Sequence, residues 1–149
     1  MDEKLYLGAG LKFPPQVNKA TGRFVLSSKE ESVKESIYLI LMTQKTERFM
    51  RPEYGSSILS YAFADTGETM LALMQQELEA DILNNEPRID QVTIRMDARS
   101  QSGCLMIYID YRLRGGSVRD NMVFPFYLSG EPEEESEAYE TMEQEQRWE

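Results

Sequence analysis

Apolar and polar positions alternate in two different rhythms along this chain, and the change of rhythm divides it. From Ser28 onward Val33, Ile37, Ile40 and Leu41 recur at helical spacing, which predicts a helix with one buried face. Ser28 and Glu31 stand three apart at its start, the pattern of a reciprocal capping box. A second helix is expected from about Asp65 or Thr66, with Glu68 in its first turn and a stripe of Leu71, Met74, Leu78 and Ile82. The methionines and leucines of that stretch, Met70 and Leu73 included, read as core. Asn84, Asn85 and Pro87 end it, since proline disfavours helical geometry in the residue before it. Beyond Pro87 the period falls to two. Val92, Ile94 and Met96 alternate with polar neighbours, Leu105 to Leu113 does so over a longer stretch, and Val123 to Leu128 forms a third run. Gly-containing links at 99–103 and 114–121 make these an antiparallel meander.

Before the first helix, Gly8, Gly10, Pro14, Pro15 and Gly22 predict a loop-rich extended arm, with a short strand over Arg23 to Leu26. Thr43 to Gly55 is charged and holds Pro52, so it reads as a connecting loop; a short helix is expected over Ser56 to Phe63. Helices first and strands after imply an α+β domain: a meander of about three strands packed against two main helices, with an N-terminal extended arm. Pro125 falls within the last strand and lacks the ladder donor, which places that strand at a sheet edge. An edge carrying Val123, Phe124, Phe126 and Tyr127 must be covered by the arm or tail, or receive a strand from another protein.

Charge changes the picture at one end. The chain of 149 residues carries a net charge of −10, but residues 131–149 hold nine Glu and one Arg, leaving 17 acids and 15 bases in residues 1–130. The expectation is a nearly neutral body, 1–130, with an acidic, solvated, flexible tail, 131–149. Such a tail repels phosphate, so no nucleic-acid partner is expected. No apolar run approaches the roughly 20 residues that span a bilayer, and the Asp2-Glu3-Lys4 start does not resemble a signal peptide, so no membrane partner and synthesis in the cytoplasm are expected.

Candidate chemistry is sparse. The sequence contains no His and one Cys, which removes Ser-His and Cys-His pairs, His-ligated metals and Cys-rich metal sites. Gly8-Ala9-Gly10 lacks the third glycine and the preceding strand of a nucleotide loop, and reads as a turn. Cys104 opens an apolar strand with no base nearby, so it reads as a structural thiol. Glycoside hydrolysis requires two carboxylates about 5 to 9.5 Å apart, one with a raised pKa. The candidates Glu47, Glu53 and Glu86 each have an arginine close by, Arg48, Arg51 or Arg88, which lowers a carboxylate pKa instead. No catalytic, cofactor or metal residue is assigned. Glu86-Pro87-Arg88 reads either as a helix stop with a surface ion pair or as a recognition element.

Taken in order, Gly8-Ala9-Gly10-Leu11-Lys12-Phe13-Pro14-Pro15, Ser36 to Thr43, Glu47-Arg48-Phe49-Met50-Arg51-Pro52-Glu53-Tyr54-Gly55-Ser56, Glu86-Pro87-Arg88-Ile89, Tyr111-Arg112-Leu113 and Phe124-Pro125-Phe126 resemble the gene-25-like baseplate wedge, or sheath-initiator, family. Its members occur in contractile phage tails, type VI secretion baseplates and related injection particles. The resemblance implies a non-enzymatic structural subunit, six copies of which ring the tail tube. It implies larger wedge proteins, sheath protein and tail-tube proteins as partners, and incorporation into the particle after synthesis.

The resemblance further implies that Glu86, Pro87 and Arg88 dock on a helical core bundle of the wedge. The family's loop motif falls on Glu47, Arg48, Arg51, Pro52 and Glu53. Val123, Phe124, Pro125, Phe126 and Tyr127 would form the edge where sheath adds a strand and polymerisation is nucleated. Arg112, Arg114 and Arg119 near the strand ends would add specificity. Arg88→Ala is then expected to leave the body folded while weakening wedge association. Thr46 stands where the family more often has Gly, and Asn85 where an aromatic is frequent. The acidic tail lies outside the shared pattern. Two other readings are a peptidoglycan-cleaving lysozyme using Glu47 or Glu86, a label part of the family carries, and a soluble regulatory adaptor on the same fold.

Overall fold

A computed structural model describes residues 7–61, 67–98, 103–117 and 119–127. The acidic tail, Leu128, the expected helix start at Asp65 or Thr66 and most of the link 99–103 lie outside the described residues.

The expected arm is a long hairpin. Strands β1 (Ala9–Leu11) and β2 (Leu26–Ser28) pair antiparallel, and an isolated bridge joins Val17 to Phe24. Its tip is an Asx-type turn in which the Asn18 side-chain oxygen accepts from the amides of Ala20 and Thr21 at 2.9 and 3.3 Å. The strand expected at Arg23 to Leu26 is thus shifted toward the helix, because β2 runs directly into it.

Helix α1 (Lys29–Met42) buries Val33, Ile37, Ile40 and Leu41, the four positions its spacing marks. Its capping box does not form. Ser28 is held extended as the last residue of β2 and makes no side-chain cap bond. The Lys29 amide donates instead to the Gly8 carbonyl at 3.1 Å, and Glu31 pairs with Lys12 at 3.4 Å. Strand pairing therefore does the work assigned to side-chain capping.

A 3-10 turn at Ile58–Tyr61 occupies part of the expected short helix. Helix α2 (Glu68–Asn85) buries Met74, Leu78, Asp81 and Ile82, with Leu71 partly buried against the core, and stops at the residues the sequence marks.

Strands β3 (Ile89–Asp97), β4 (Cys104–Leu113) and β5 (Arg119–Tyr127) form the expected antiparallel sheet in the order β3-β4-β5. One face carries Ile94, Leu105, Ile107, Ile109, Tyr111, Leu113, Phe124 and Phe126 into a core shared with α1, α2, Ile58 and Leu7. β5 starts earlier than the apolar run suggests. Arg119, Asp120 and Asn121 already pair with Arg112, Tyr111 and Asp110, and Asp120 is fixed by the Tyr111 hydroxyl at 3.2 Å and by Lys34 at 3.1 Å. Backbone pairing continues where apolar alternation has stopped, so the link expected over 114–121 is shorter.

Candidate protein interface

Two places carry the sequence's recognition candidates: the junction between α2 and β3, and the outer edge of β5. At the junction the helix ends because the Glu86 amide makes the last turn's bond to the Ile82 carbonyl and Pro87 can donate none. Glu86 is only 2% exposed, so the reading of this pair as a surface ion pair is overturned. Arg88 folds back onto it: Nη2 is 2.6 Å from Oε2, and Nε is 2.7 Å from Oε1, a bidentate clamp. The Arg88 amide also donates to Oε1 at 3.1 Å. Nη1 of Arg88 then donates to the Leu7 carbonyl at 2.9 Å and to the Ser32 hydroxyl at 3.2 Å.

One guanidinium thus ties the arm and α1 to the start of β3. Burial raises the Glu86 carboxyl, but hydrogen bonds from Arg88 and Ser36 outweigh it and hold the group below its ordinary range. Removing Arg88 would strand a buried carboxylate. To the expectation that Arg88→Ala leaves the body folded, the clamp adds a stability cost. Pro87, between them, is exposed, and Arg88 is half-buried.

The loop 43–56 packs beside this junction. Asn85 donates its side-chain amide to the Asp81 carbonyl at 2.8 Å and reaches the Gly55 carbonyl at 3.5 Å. Gly55 is at φ +109, and a Cβ there would lie 2.2 Å from the Thr43 carbonyl oxygen, so no side chain fits. Thr46 is at φ +76, a strained position for a β-branched residue, where glycine would be at ease. Lys45 places its ammonium 2.6 Å from Asp81, which is 5% exposed.

Of the described carboxylates that shift, only Asp81 moves up: burial raises it, and Lys45 pulls it partly back. Glu53 sits below its ordinary value through a backbone hydrogen bond and Arg51. Glu47 turns back to accept the Gln44 amide at 3.0 Å. Sequence reading missed Asp81 and Lys45, because a polar residue in an apolar stripe looks like a solvated position until its partner on another segment is known.

At the other end of the sheet, β5 pairs with β4 alone among the described residues. Phe124 and Phe126 point into the core, while Val123, Pro125 and Tyr127 are exposed on the opposite face. That face also carries Met106 and Tyr108, the partners of Pro125 and Val123. Among the described residues the arm does not pair with β5; the Phe13 ring of the arm lies 5.9 Å from Tyr38, itself 5.8 Å from Phe124. Of the expected specificity arginines, Arg112 is paired with Asp90 at 2.8 Å, and the Arg114 amide donates to the Arg88 carbonyl.

Gly8-Ala9-Gly10 is not the expected turn: Ala9 and Gly10 belong to β1, and Gly8, at φ +69, precedes that strand with its carbonyl accepting the Lys29 amide. Cys104 is half-buried, with Sγ 3.9 Å from the Met106 sulfur. No group of three potential metal ligands occurs among the described residues.

Residues 27–117 match the family model described as baseplate wedge protein gp25. The chain belongs to this family. The matched segment runs from β2 through α1, the loop, α2, β3 and β4, and so contains Glu86, Arg88 and their partners on α1, while Leu7 and β5 lie outside it. Among solved structures, the chain is similar to a candidate tail lysozyme from Geobacter sulfurreducens at 40% identity and TM-score 0.64, covering 70% of this chain and 96% of that one. It is similar to a chain of the anti-feeding prophage baseplate at 26% identity and TM-score 0.57, covering 88% and 93%. A chain of a type VI secretion baseplate complex shares the fold at 18% identity and TM-score 0.56, covering 66% and 92%. Among curated proteins, none matches the chain.

Proposed function

We propose that this protein is a structural baseplate component that links the wedge of a contractile injection particle to its sheath and nucleates sheath polymerisation by accepting a strand at β5. The observation that carries this reading is the edge itself: a nine-residue strand held by β4 on one side, with no neighbour on the other among the described residues. A preformed edge removes the unfavourable first step of polymerisation, because an incoming sheath arm pairs with backbone already fixed in place. The exposed Val123, Pro125 and Tyr127 offer side-chain contacts on the same strand. Family membership and likeness to the anti-feeding prophage baseplate chain support the setting, with larger wedge proteins, sheath and tail-tube proteins as neighbours and six copies per particle.

Docking on the wedge falls to the α2–β3 junction. Glu86 is too buried to touch a partner and instead orients Arg88. Pro87 and the outer part of Arg88 form the contact.

The test is sheath assembly on purified baseplates. Baseplates lacking the chain should fail to start sheath, and added wild-type chain should restore it. Equal sheath growth without the chain would overturn the reading.

The name of the Geobacter structure raises a lysozyme reading. Its chemistry is opposed here, since a general acid requires a raised pKa while Glu53 and Glu86 are both held down, and the raised Asp81 is clamped by Lys45 and buried. A zymogram of the purified protein should show no clearing.

A further inference from the structure

The loop between α1 and the 3-10 turn satisfies its own backbone and leaves two large apolar side chains bare at its tip. Phe49 is 95% exposed and Met50 85% exposed, more than any other large apolar residue described. The loop is nevertheless fixed. The Thr46 amide donates to the Pro52 carbonyl at 2.7 Å, Arg51 to Arg48 at 3.2 Å and Tyr54 to Arg51 at 3.1 Å. Its ends are joined by a Gln44 and Ser56 bridge, with the Ser56 hydroxyl donating to the Leu41 carbonyl at 3.0 Å. Two adjacent apolar side chains on such a support lose little further freedom when they are buried by a partner, which is the condition for a strong anchor.

Charge around the tip leaves Arg48 as the cation without a carboxylate partner among the described residues. Arg48 and Arg51 lie over the Tyr54 ring at 4.9 and 5.8 Å. Arg48 makes no ion pair among the described residues, and the loop's carboxylates are engaged at home, Glu47 on the Gln44 amide and Glu53 on Arg51. The same loop abuts the wedge-docking junction: Asn85 reaches the Gly55 carbonyl, and Tyr54 is close enough to Glu86 to feel its charge.

We propose that Phe49 and Met50, collared by Arg48 and Arg51, form the apolar anchor of the wedge interface, inserting into a recess of the neighbouring wedge protein that is lined by apolar side chains and rimmed by carboxylates. This rests on the reading of the Pro87 and Arg88 surface as the wedge contact and extends that surface across the loop. The recess must be apolar at its floor to take the Phe and Met, and acidic at its rim to meet the Arg48 guanidinium, which has no ion pair among the described residues, whereas Arg51 is already held by Glu53.

The test is a titration of full-length chain against the recombinant large wedge proteins of the same particle, with wild type, Phe49→Ser/Met50→Ser and Arg48→Glu compared. Both variants change exposed side chains, so their melting temperatures should match wild type, which the same samples verify. The double serine variant is expected to bind about thirtyfold more weakly or worse, the scale of an interface hot spot. Arg48→Glu should weaken binding severalfold, with the loss growing as salt is lowered. Wild-type binding left unchanged in the double variant would overturn the anchor while leaving the docking surface in place. An Arg48→Glu variant that binds like wild type at all salt concentrations would refute the acidic rim. Failure of wild type to bind the wedge proteins would overturn the docking reading and the anchor with it.

Discussion

The two edges of the three-stranded sheet are formed by strands of equal length, nine residues each, and they are finished in opposite ways. Along β3 the preceding helix supplies what the missing strand would. The Glu79 carboxylate on α2 accepts the Ile94 amide at 2.8 Å, and the Arg88 clamp fastens the strand's entrance to α1 and the arm. Along β5 no element plays that part among the described residues, and Pro125 interrupts the row of donors. The difference shows how one small sheet can be closed on the side facing its own helices and left receptive on the other. An open edge blunted by a proline is a hazard for a free protein and becomes a resource if, as proposed, the subunit receives a strand there.

The strongest way to disturb the closed side is Arg88→Ala. It leaves Glu86 ionised, buried and without its clamp, and should cost about 3 to 5 kcal/mol in chemical denaturation. A loss below about 1 kcal/mol would mean that water replaces the guanidinium. The same pair sets an acid dependence. Because the folded Glu86 pKa lies below its unfolded value, the stabilisation is present above about pH 4.5 and is lost as pH falls through the folded value. Wild-type urea midpoints should therefore drop on acidification below that point, and Glu86→Gln should show a shallower drop from a lower start.

Next in size is Glu79→Ala, which removes the acceptor from the Ile94 amide and should destabilise by about 1 to 3 kcal/mol. Glu79→Gln keeps an acceptor and should recover most of that loss. If alanine and glutamine behave alike, the carboxylate does not serve as the substitute for a strand.

How far these edges could be read from sequence differs between them. Pro125 alone announced the open edge, because a missing donor is a local property of one residue. The closed edge was illegible, since Glu79 looks like any exposed helical glutamate until the tertiary structure sets it against Ile94, fifteen positions on. The core was largely legible: the spacing of Val33, Ile37, Ile40 and Leu41 and the alternation from Leu105 to Leu113 correspond directly to buried faces. The burial of Glu86 was not, because it depends on Ser36 of α1, which bonds the carboxylate, and on Arg88, itself held by Leu7 of the arm and Ser32 of α1, all but Arg88 far away along the chain. The capping box at Ser28 failed for a related reason. A local motif lost to a strand pairing that only the folded arm supplies.

Thr46→Gly sharpens the comparison from the loop beside the closed side. Relieving a β-branched residue at φ +76 should stabilise the protein by about 1 kcal/mol, read from the melting temperature. The smallest change in stability is expected at the open edge: Pro125→Val should alter unfolding by less than about 0.5 kcal/mol. Its effect belongs in solution behaviour instead, as concentration-dependent self-association in sedimentation velocity, because a restored donor makes the edge easier to pair.

Amide hydrogen exchange of the protein alone and mixed with the sheath subunit tests strand addition most directly. Amides of β5 should exchange more slowly once sheath is bound, while the Ile94 amide, already held by Glu79, should keep its rate. A stable complex in which β5 exchanges as fast as in the free protein would contradict the pairing of sheath with this edge.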